Sequence, residues 1–331
     1  MSPKLEIQVE QDRFYKSVFD DANSFFILRG KVVLTPSSTM KAQHIYLRFL
    51  GESVLNRAIQ ASRSALFEHK WDFSQGTGTQ VFQPRPYSFT FELALPVDLP
   101  ESAEADYAKI QYGLKVTVET PIFSPNITAS RSIYIHRTID SLTSVPYNTH
   151  LEDTWRNMVD YEIVIPSPEY MPGDTIPITF KHHALNSRCK VINIWAGLSE
   201  KTLYNKSGGD ARANGDIVKK RLQVRGAAIT NSLESSLSLN ISKCCKEVHF
   251  DCCTPYIEVT HMLNTRIAVE LDGVVKCISA VLPIRIVRDT GNNFISQEAN
   301  GVEQLPNYFT VKFDCPPDYF HHVANLTEME S

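Results

Sequence analysis

The sequence predicts an all-β protein that consists of two antiparallel β-sandwiches followed by a flexible C-terminal tail. Its 331 residues are enough for two domains of about 150 residues each. Apolar and polar residues alternate through both halves, and few windows keep the 3.6-residue period of a helix. Hydrophobic residues make up 43% of the chain and charged residues 21%, which is the composition of a folded protein.

The strands of the first half follow from this alternation. Between residues 87 and 95 every second residue is a large apolar one, so one face of an extended segment is apolar. Residues 110–119 repeat the pattern, and shorter versions lie at 27–34, 45–49 and 132–136. These segments predict the sheets of a first domain, with Phe89, Phe91, Tyr112 and Leu114 in its core.

The second half shows the same alternation. Strands are predicted around residues 163–165, 176–180, 191–198 and 233–241, with Ile176, Ile178 and Val259 buried. Residues 257–263 and 267–271 are predicted to face each other as a hairpin, because the polar Asn264 and Thr265 separate two apolar runs. Many strands with almost no helices predict antiparallel sandwiches.

Loss of periodicity marks the domain limits. A polar stretch from Thr138 to Asn157 separates the two halves, which gives a first domain at 1–140, a linker at 141–157 and a second domain at 158–290. Residues 291–331 form the tail, where one base, Lys312, stands against six acids: Glu298, Glu303, Asp314, Asp318, Glu328 and Glu330. The tail therefore carries a net charge of −5. Because the whole chain carries −4, the residues before the tail carry +1 and are close to neutral. We expect it to be flexible.

Charge and composition exclude several classes of function. A balanced chain lacks the overall positive charge of a nucleic-acid-binding protein. No apolar run reaches the length of a membrane-spanning helix and the first residues do not resemble a signal peptide, so a cytoplasmic location is expected. Seven cysteines, an odd number in a long chain with that location, are expected to be free thiols.

A PPxY motif in the tail is the sharpest functional signal. Pro316, Pro317 and Tyr319 form it, and a weaker LPxY copy lies eleven residues upstream at Leu305, Pro306 and Tyr308. Consecutive prolines favour the polyproline II conformation, so little entropy is lost when the segment lies on the aromatic groove of a WW domain. Two linked copies would raise the affinity for a partner that carries several WW domains. The alternative is a proline turn that closes the last strand.

A basic stripe is predicted on one strand of the second half. Lys219, Arg221 and Arg225 occupy alternate positions together with Gln223, so their side chains share one face of an extended segment. Such a stripe could bind an acidic peptide or an anionic lipid headgroup. The alternative is an ordinary solvated strand face.

Neither a metal site nor a catalytic site is predicted. Cys244-Cys245 and Cys252-Cys253 flank His249, but adjacent strand residues point to opposite faces and the usual C-x-x-C spacing is absent. The common nucleophile, zinc and phosphate-loop motifs are absent as well, and no cofactor is expected. A sandwich hydrolase that assembles two carboxylates from distant strands remains an alternative.

The order of the segments resembles the arrestin family. Its N-domain is suggested by segments 28–34, 45–51, 87–93, 99–102 and 110–116, taken in that order. The C-domain is suggested by Tyr161 to Pro166, by a Y-x-P-G-D sequence that begins at Tyr170, and by the strand Ile257 to Leu263. The likeness covers about residues 5 to 288. With the PPxY motif behind it, the chain is similar to the alpha-arrestins and within them to the fungal arrestin-related trafficking adaptors.

This resemblance implies a non-enzymatic adaptor. Such a protein binds membrane transporter or receptor cargo and recruits a HECT-type ubiquitin ligase that carries WW domains, at the plasma membrane or endosomes. An arrestin-like scaffold subunit of a retromer-type sorting complex is the first alternative, and the β-sandwich hydrolase is the second. Neither alternative needs a WW ligand, so the tail motif discriminates between them.

Overall fold

The computed structural model describes residues 3–17, 20, 23–56, 61–74, 78–121, 124–137, 149–205, 216–228, 233–244 and 246–288. All of the regular secondary structure within these ranges is β-strand. This confirms the predicted all-β class. The predicted tail and both of its proline motifs lie outside the described residues.

Among the residues that the structure describes before the interdomain stretch, eleven strands form: β1 (Lys4–Val9), β2 (Arg13–Lys16), β3 (Phe25–Thr35), β4 (Met40–Ala42), β5 (His44–Leu55), β6 (Ser62–Asp72), β7 (Gln80–Phe82), β8 (Tyr87–Pro96), β9 (Ala103–Ala105), β10 (Ala108–Glu119) and β11 (Ile127–Arg137). They pair as a three-stranded sheet in the order β1-β3-β8, a second sheet in the order β2-β11-β10-β5-β6 with β9 beside β10, and the small pair β4-β7.

The inner faces of the two larger sheets supply a shared core. Phe91, Tyr112 and Leu114 are buried there, as the alternation predicted, whereas Phe89 is only half-buried and packs against this core from its margin. Tyr112 pairs with Gly51 across β10 and β5, and its ring stacks on that of Phe49 at a centroid distance of 6.2 Å. A stretch of alternating residues therefore becomes a packed face when two sheets close on each other.

Ten strands follow in the described part of the second half: β12 (His150–Trp155), β13 (Val159–Val164), β14 (Glu169–Tyr170), β15 (Thr175–Ala184), β16 (Cys189–Tyr204), β17 (Asp216–Ala228), β18 (Glu234–Asn240), β19 (Cys252–Cys253), β20 (Ile257–Leu271) and β21 (Val274–Ile286). One sheet has the order β12-β13-β15-β18, and the other has the order β14-β21-β20-β16-β17 with β19 beside β20. Ile176, Ile178 and Val259 are buried, as predicted.

The chain separates into two compact units, and the division is not a single cut in the sequence. The first unit contains residues 1–146, 201–219 and 249–260, and the second contains the remaining residues. Residues 150–155, which the sequence analysis placed in the linker, form β12 and pair with β13. The linker is therefore shorter than predicted. The sequence did not indicate this strand because its side chains are largely exposed and show no apolar alternation.

The hairpin predicted at Asn264 and Thr265 is wrong. β20 runs through both residues without a break, and the chain reverses at Asp272 and Gly273, which have φ angles of 51° and 80°. Thr265 faces the core and is 1% exposed, and its hydroxyl donates to the carbonyl of Ala280 at 3.0 Å. A buried threonine can satisfy its hydroxyl by a hydrogen bond to the neighbouring strand. The local sequence alone does not distinguish such a residue from a polar residue of a turn.

Candidate functional site

The basic stripe lies on β17, an edge strand of its sheet. The side chains of Lys219, Arg221 and Arg225 are all exposed. Only β16 pairs with β17, so the other edge of β17 has no strand partner within the described residues. A charged edge strand is one of the ways in which proteins discourage pairing with other chains, which is the structural explanation of such a stripe.

Packing against β16 fixes which face the cations occupy. A Cβ built on Gly197 would lie 3.2 Å from Cγ2 of Val224, and one built on Gly226 would lie 2.3 Å from Cδ1 of Trp195. Val224 and Gly226 therefore share the face of the Trp195 indole ring. Because successive strand residues point to opposite faces, Arg221 and Arg225 project from the other face, as the sequence predicts.

A hydrogen bond connects the stripe to the second sheet of the sandwich. The side-chain oxygen of Gln223, which lies between the two arginines, accepts from the backbone N–H of Asn240 in β18 at 2.6 Å. β18 is also the last strand of its sheet. Arg221 and Arg225, which flank Gln223, thus stand at the open side of the sandwich, where two edge strands come together.

The charges of the stripe are not neutralised by the rest of the described structure. Among the residues that the structure describes, none of the three cations forms an ion pair, whereas Arg188 pairs with Asp272 and Lys181 pairs with Glu162 in the same sandwich. Three uncompensated cations on one strand create a local positive potential that an anionic ligand can use. The stripe is therefore the described surface that best fits an acidic partner.

The Y-x-P-G-D segment is a structural turn. The Asp174 carboxylate accepts from the backbone N–H of Met171 at 2.7 Å, and Gly173 has a φ angle of 97°. The carbonyl of Asp174 accepts from the backbone N–H of Ile241 at 2.8 Å, which ties the turn to the end of β18. The backbone of the turn thus uses both Gly173 and Asp174, which gives these two residues of the motif a structural role.

The cysteine and histidine cluster does not converge in the structure. The Cys252 side chain is half-buried, its Sγ lies 3.8 Å from the carbonyl oxygen of Ile257, and desolvation raises the pKa of this thiol far above its usual range. Cys244 and Cys253 are exposed, and the buried His249 lies 3.3 Å from a carboxylate oxygen of Asp106. No group of three potential metal ligands comes together within the described ranges. Cys245 and Cys315 lie outside those ranges.

A buried ionisable pair is the feature that sequence reasoning missed. Oε2 of Glu200 lies 3.3 Å from Nε2 of His261, and their side chains are 2% and 0% exposed. The alternation of β20 does place His261 on the buried face beside Val259 and Leu263. Glu200 continues the buried face of Ile194, Ala196 and Leu198 in β16, but its charge makes burial unexpected from sequence. Neither residue lies on a surface that a substrate could reach.

The part of the chain that the structure describes holds no helix with the length and apolar character that a bilayer crossing requires.

Comparison with known families covers most of the chain. Residues 26–141 match the model of the N-terminal domain of arrestin (or S-antigen), and residues 155–289 match the model of its C-terminal domain. The two matches follow each other in the order that the sequence resemblance predicts.

Individual relatives are fungal proteins. Arrestin-related trafficking adapter 3 of Saccharomyces cerevisiae is 35% identical over 120 residues, which are 35% of this chain and 11% of that protein. "Probable HECT-type ubiquitin ligase-interacting protein creD" of Neosartorya fischeri is 23% identical over 338 residues, covering 89% of this chain and 54% of that protein. An arrestin domain-containing protein of Schizosaccharomyces pombe is 25% identical over 318 residues, which cover 87% of this chain and 54% of that protein. The chain thus spans about half the length of the relatives that it matches along most of its own length.

Proposed function

The chain belongs to the arrestin family, in its alpha-arrestin branch, and from this premise we propose that it is a non-enzymatic adaptor that brings a WW-domain HECT-type ubiquitin ligase to membrane cargo. The observation that carries this proposal is a PPxY motif placed directly behind two arrestin domains. The names of two relatives, a trafficking adapter and a ligase-interacting protein, support it.

Recruitment of the ligase is assigned to the tail. Pro316 and Pro317 would pack on the aromatic groove of a WW domain, and the Tyr319 ring would enter the neighbouring pocket. Leu305, Pro306 and Tyr308 form the weaker second copy, because leucine favours the polyproline II conformation less than proline does. We propose that the adaptor acts at the plasma membrane or endosomes, where its transporter or receptor cargo resides.

Tyr319→Ala is expected to weaken binding of the full chain to tandem WW domains at least tenfold, measured by isothermal titration. Few atoms of a short peptide make the contact, so the loss of one ring removes much of a small binding free energy. Tyr308→Ala should lose less, and the double variant more than either single variant, if both copies engage. Phe294→Ala, an aromatic truncation in the same tail outside both motifs, is the matched control. Equal affinity of the wild type and Tyr319→Ala would contradict the proposal and favour the retromer-type scaffold or the hydrolase.

Recognition of cargo is assigned to the basic stripe. Lys219, Arg221 and Arg225 are exposed and unpaired within the described structure, so an acidic cytosolic segment of the cargo, or an anionic lipid beside it, can replace their water without breaking a protein contact. Each cation near a charged surface contributes about 1 kcal/mol to binding. The sandwich supplies the rigid support.

Reversal of the three cations to glutamate is expected to reduce binding to an acidic peptide or to anionic vesicles at least tenfold at low salt. Thermal stability should change little, because exposed charges contribute weakly to folding. Peptide titration and vesicle sedimentation separate the two kinds of ligand. The matched control is Lys190→Glu/Arg266→Glu/Lys276→Glu, which makes the same change in net charge with exposed cations of other strands. Unchanged binding of the stripe variant to both the peptide and the vesicles would contradict the proposal and show that the cations of β17 form only a solvated strand face.

A further inference from the structure

We infer that the outward face of the sheet β2-β11-β10-β5-β6 binds the surface of an anionic membrane. The proposed function assigns no contact to this sheet, so such a contact goes beyond it. The residues concerned lie on other strands than the basic stripe of β17, and the two surfaces can therefore be tested apart.

A row of three cations crosses the middle of this face. Lys115 of β10 pairs in register with Arg48 of β5, and Arg48 pairs in register with Lys70 of β6. Val116 and Phe49, which follow the first two in sequence, are buried in the core, so the cations project from the opposite, outward face. All three side chains are exposed. We call Lys115, Arg48 and Lys70 the cation row.

The sheet gains no stability from the cation row. Like charges that stand directly opposite each other on neighbouring strands destabilise a sheet. Arg48 has an acidic partner, Glu68, whose Oε1 lies 2.7 Å from its Nε. Lys115 and Lys70 form no ion pair with any residue that the structure describes, and the Lys70 ammonium lies 4.1 Å from the centre of the Tyr46 ring. An anionic ligand can thus use these two lysines without breaking an ion pair of the protein.

Neutral residues surround the β10 end of the cation row. The exposed Ser130 of β11 pairs in register with Lys115, and the exposed Ser132 pairs with Gly113, which has no side chain. On the two rungs beside the row the acids lie at the far end, on β6. A phosphate group can therefore approach Lys115 with hydroxyl donors beside it and without meeting a carboxylate on these rungs.

Tyrosine side chains on the same face suit a lipid surface. Tyr15 of β2 and Tyr134 of β11 are 37% and 39% exposed, and they alternate with the buried Phe14 and Ile135. Tyrosine is enriched where proteins meet the membrane–water interface, because its ring is apolar and its hydroxyl is polar. From β2 to β6 these groups extend over about 19 Å, or four strand spacings. Cations, hydroxyls and tyrosines spread over five strands fit a plane of anionic headgroups rather than one short peptide.

Contact with a membrane would bring the adaptor to its cargo. The cargo of the proposed function is embedded in a bilayer, and the cytoplasmic surface of a bilayer carries negative charge. Weak binding of the first sandwich to that surface would confine the chain near the cargo, and two linked weak contacts give a higher overall affinity than either alone. Because the charged groups are exposed, the attraction should fall as salt is added.

Sedimentation of the full chain with vesicles of phosphatidylcholine and phosphatidylserine tests this inference. Lys115→Gln/Lys70→Gln is expected to bind at least about tenfold more weakly than the wild type at low salt. Wild-type binding to vesicles of phosphatidylcholine alone should be weaker by a similar factor. Tyr134→Ser should weaken binding to the anionic vesicles about threefold without changing its dependence on salt. The melting temperature of the double lysine variant should equal or exceed that of the wild type, since repulsion within the cation row is relieved.

Lys31→Gln/Lys41→Gln is the matched control, because it makes the same change in net charge with exposed lysines elsewhere in the first unit. It should bind the vesicles as the wild type does. Equal vesicle binding of the wild type and Lys115→Gln/Lys70→Gln would overturn the inference, and so would an equal loss in the control, since that would reflect net charge alone.

Titration of the same proteins with a soluble acidic peptide separates a membrane from a protein partner. We expect the peptide to bind the wild type and Lys115→Gln/Lys70→Gln equally. A loss of peptide binding in this variant, with vesicle binding unchanged, would replace the membrane by an acidic protein partner and overturn the assignment. No WW domain or cargo enters these measurements, so failure of the proposed function and failure of the membrane contact are observed separately.

Discussion

His261→Ala is expected to lower the free energy of unfolding by about 3–5 kcal/mol, because it leaves the Glu200 carboxylate in the sandwich without the imidazole beside it. The two side chains are 3.3 Å apart and almost fully buried. An ionised carboxylate in such a place requires its partners, since water cannot replace a lost contact there. The truncation also leaves a cavity, which adds to the loss.

Urea unfolding of the four members of a double-mutant cycle, with Glu200→Ala as the second variant, measures the contact itself. A coupling of at least about 1.5 kcal/mol between the two positions is expected. His150→Ala is the matched control, because His150 also lies 3.1 Å from a glutamate, Glu162, but is 50% exposed. It should cost less than about 1 kcal/mol. Additive effects of the two buried substitutions, or equal losses for His261→Ala and His150→Ala, would contradict the assignment.

This pair shows which part of the fold local sequence can predict. Alternation placed His261 on the buried face of its strand, because the apolar residues around it repeat every second position. The identity of its neighbour depends on how β16 and β20 align, and that alignment is set by contacts that are far apart in sequence. A period of two fixes the face of a residue but not the residue across from it.

The same limit explains the mistaken hairpin. Asn264 and Thr265 interrupt an apolar run, and polar pairs of this kind often mark turns. Thr265 is nevertheless core-facing because the carbonyl of Ala280 on β21 accepts its proton. An acceptor fifteen positions away leaves no trace in the local pattern, whereas the Asp272-Gly273 dipeptide is a recognisable turn signal that the prediction did not use.

The candidate site divides in the same way. Alternation on one strand predicts that Lys219, Arg221 and Arg225 are exposed on the same face. In the structure all three side chains are exposed, and the opposite face of β17 lies against Trp195. The position of that strand at the open side of the sandwich, beside β18, depends on sheet order and could not be predicted. The proline motifs are present in the sequence itself, and their assignment to WW domains stays a prediction.

Gly51→Ala is expected to destabilise the first unit by about 3 kcal/mol, because the buried Tyr112 ring occupies the space that the new methyl group needs. A Cβ at residue 51 would lie 2.4 Å from Cε1 and 2.5 Å from Cδ1 of that ring. The ring cannot move aside easily, since its hydroxyl donates to the carbonyl of Pro100 at 2.7 Å and its face stacks on Phe49. The glycine is thus required by a close approach within the core rather than by a turn.

Gly113→Ala is the matched control for this prediction. Gly113 lies on β10 beside Tyr112, in the same sheet, but a Cβ there would meet only the carbonyl oxygen of Arg131 at 3.4 Å, an ordinary contact. Its substitution should be neutral or slightly stabilising, because alanine restricts the unfolded chain more than glycine does. Adding Tyr112→Val to Gly51→Ala should cost less than the sum of the two single substitutions, since the smaller side chain vacates the space that the methyl group requires. Thermal and urea unfolding of the wild type, Gly51→Ala, Gly113→Ala, Tyr112→Val and the double variant measure these effects. Equal stability of Gly51→Ala and Gly113→Ala would contradict the prediction, because it would show that the Tyr112 ring moves aside without cost.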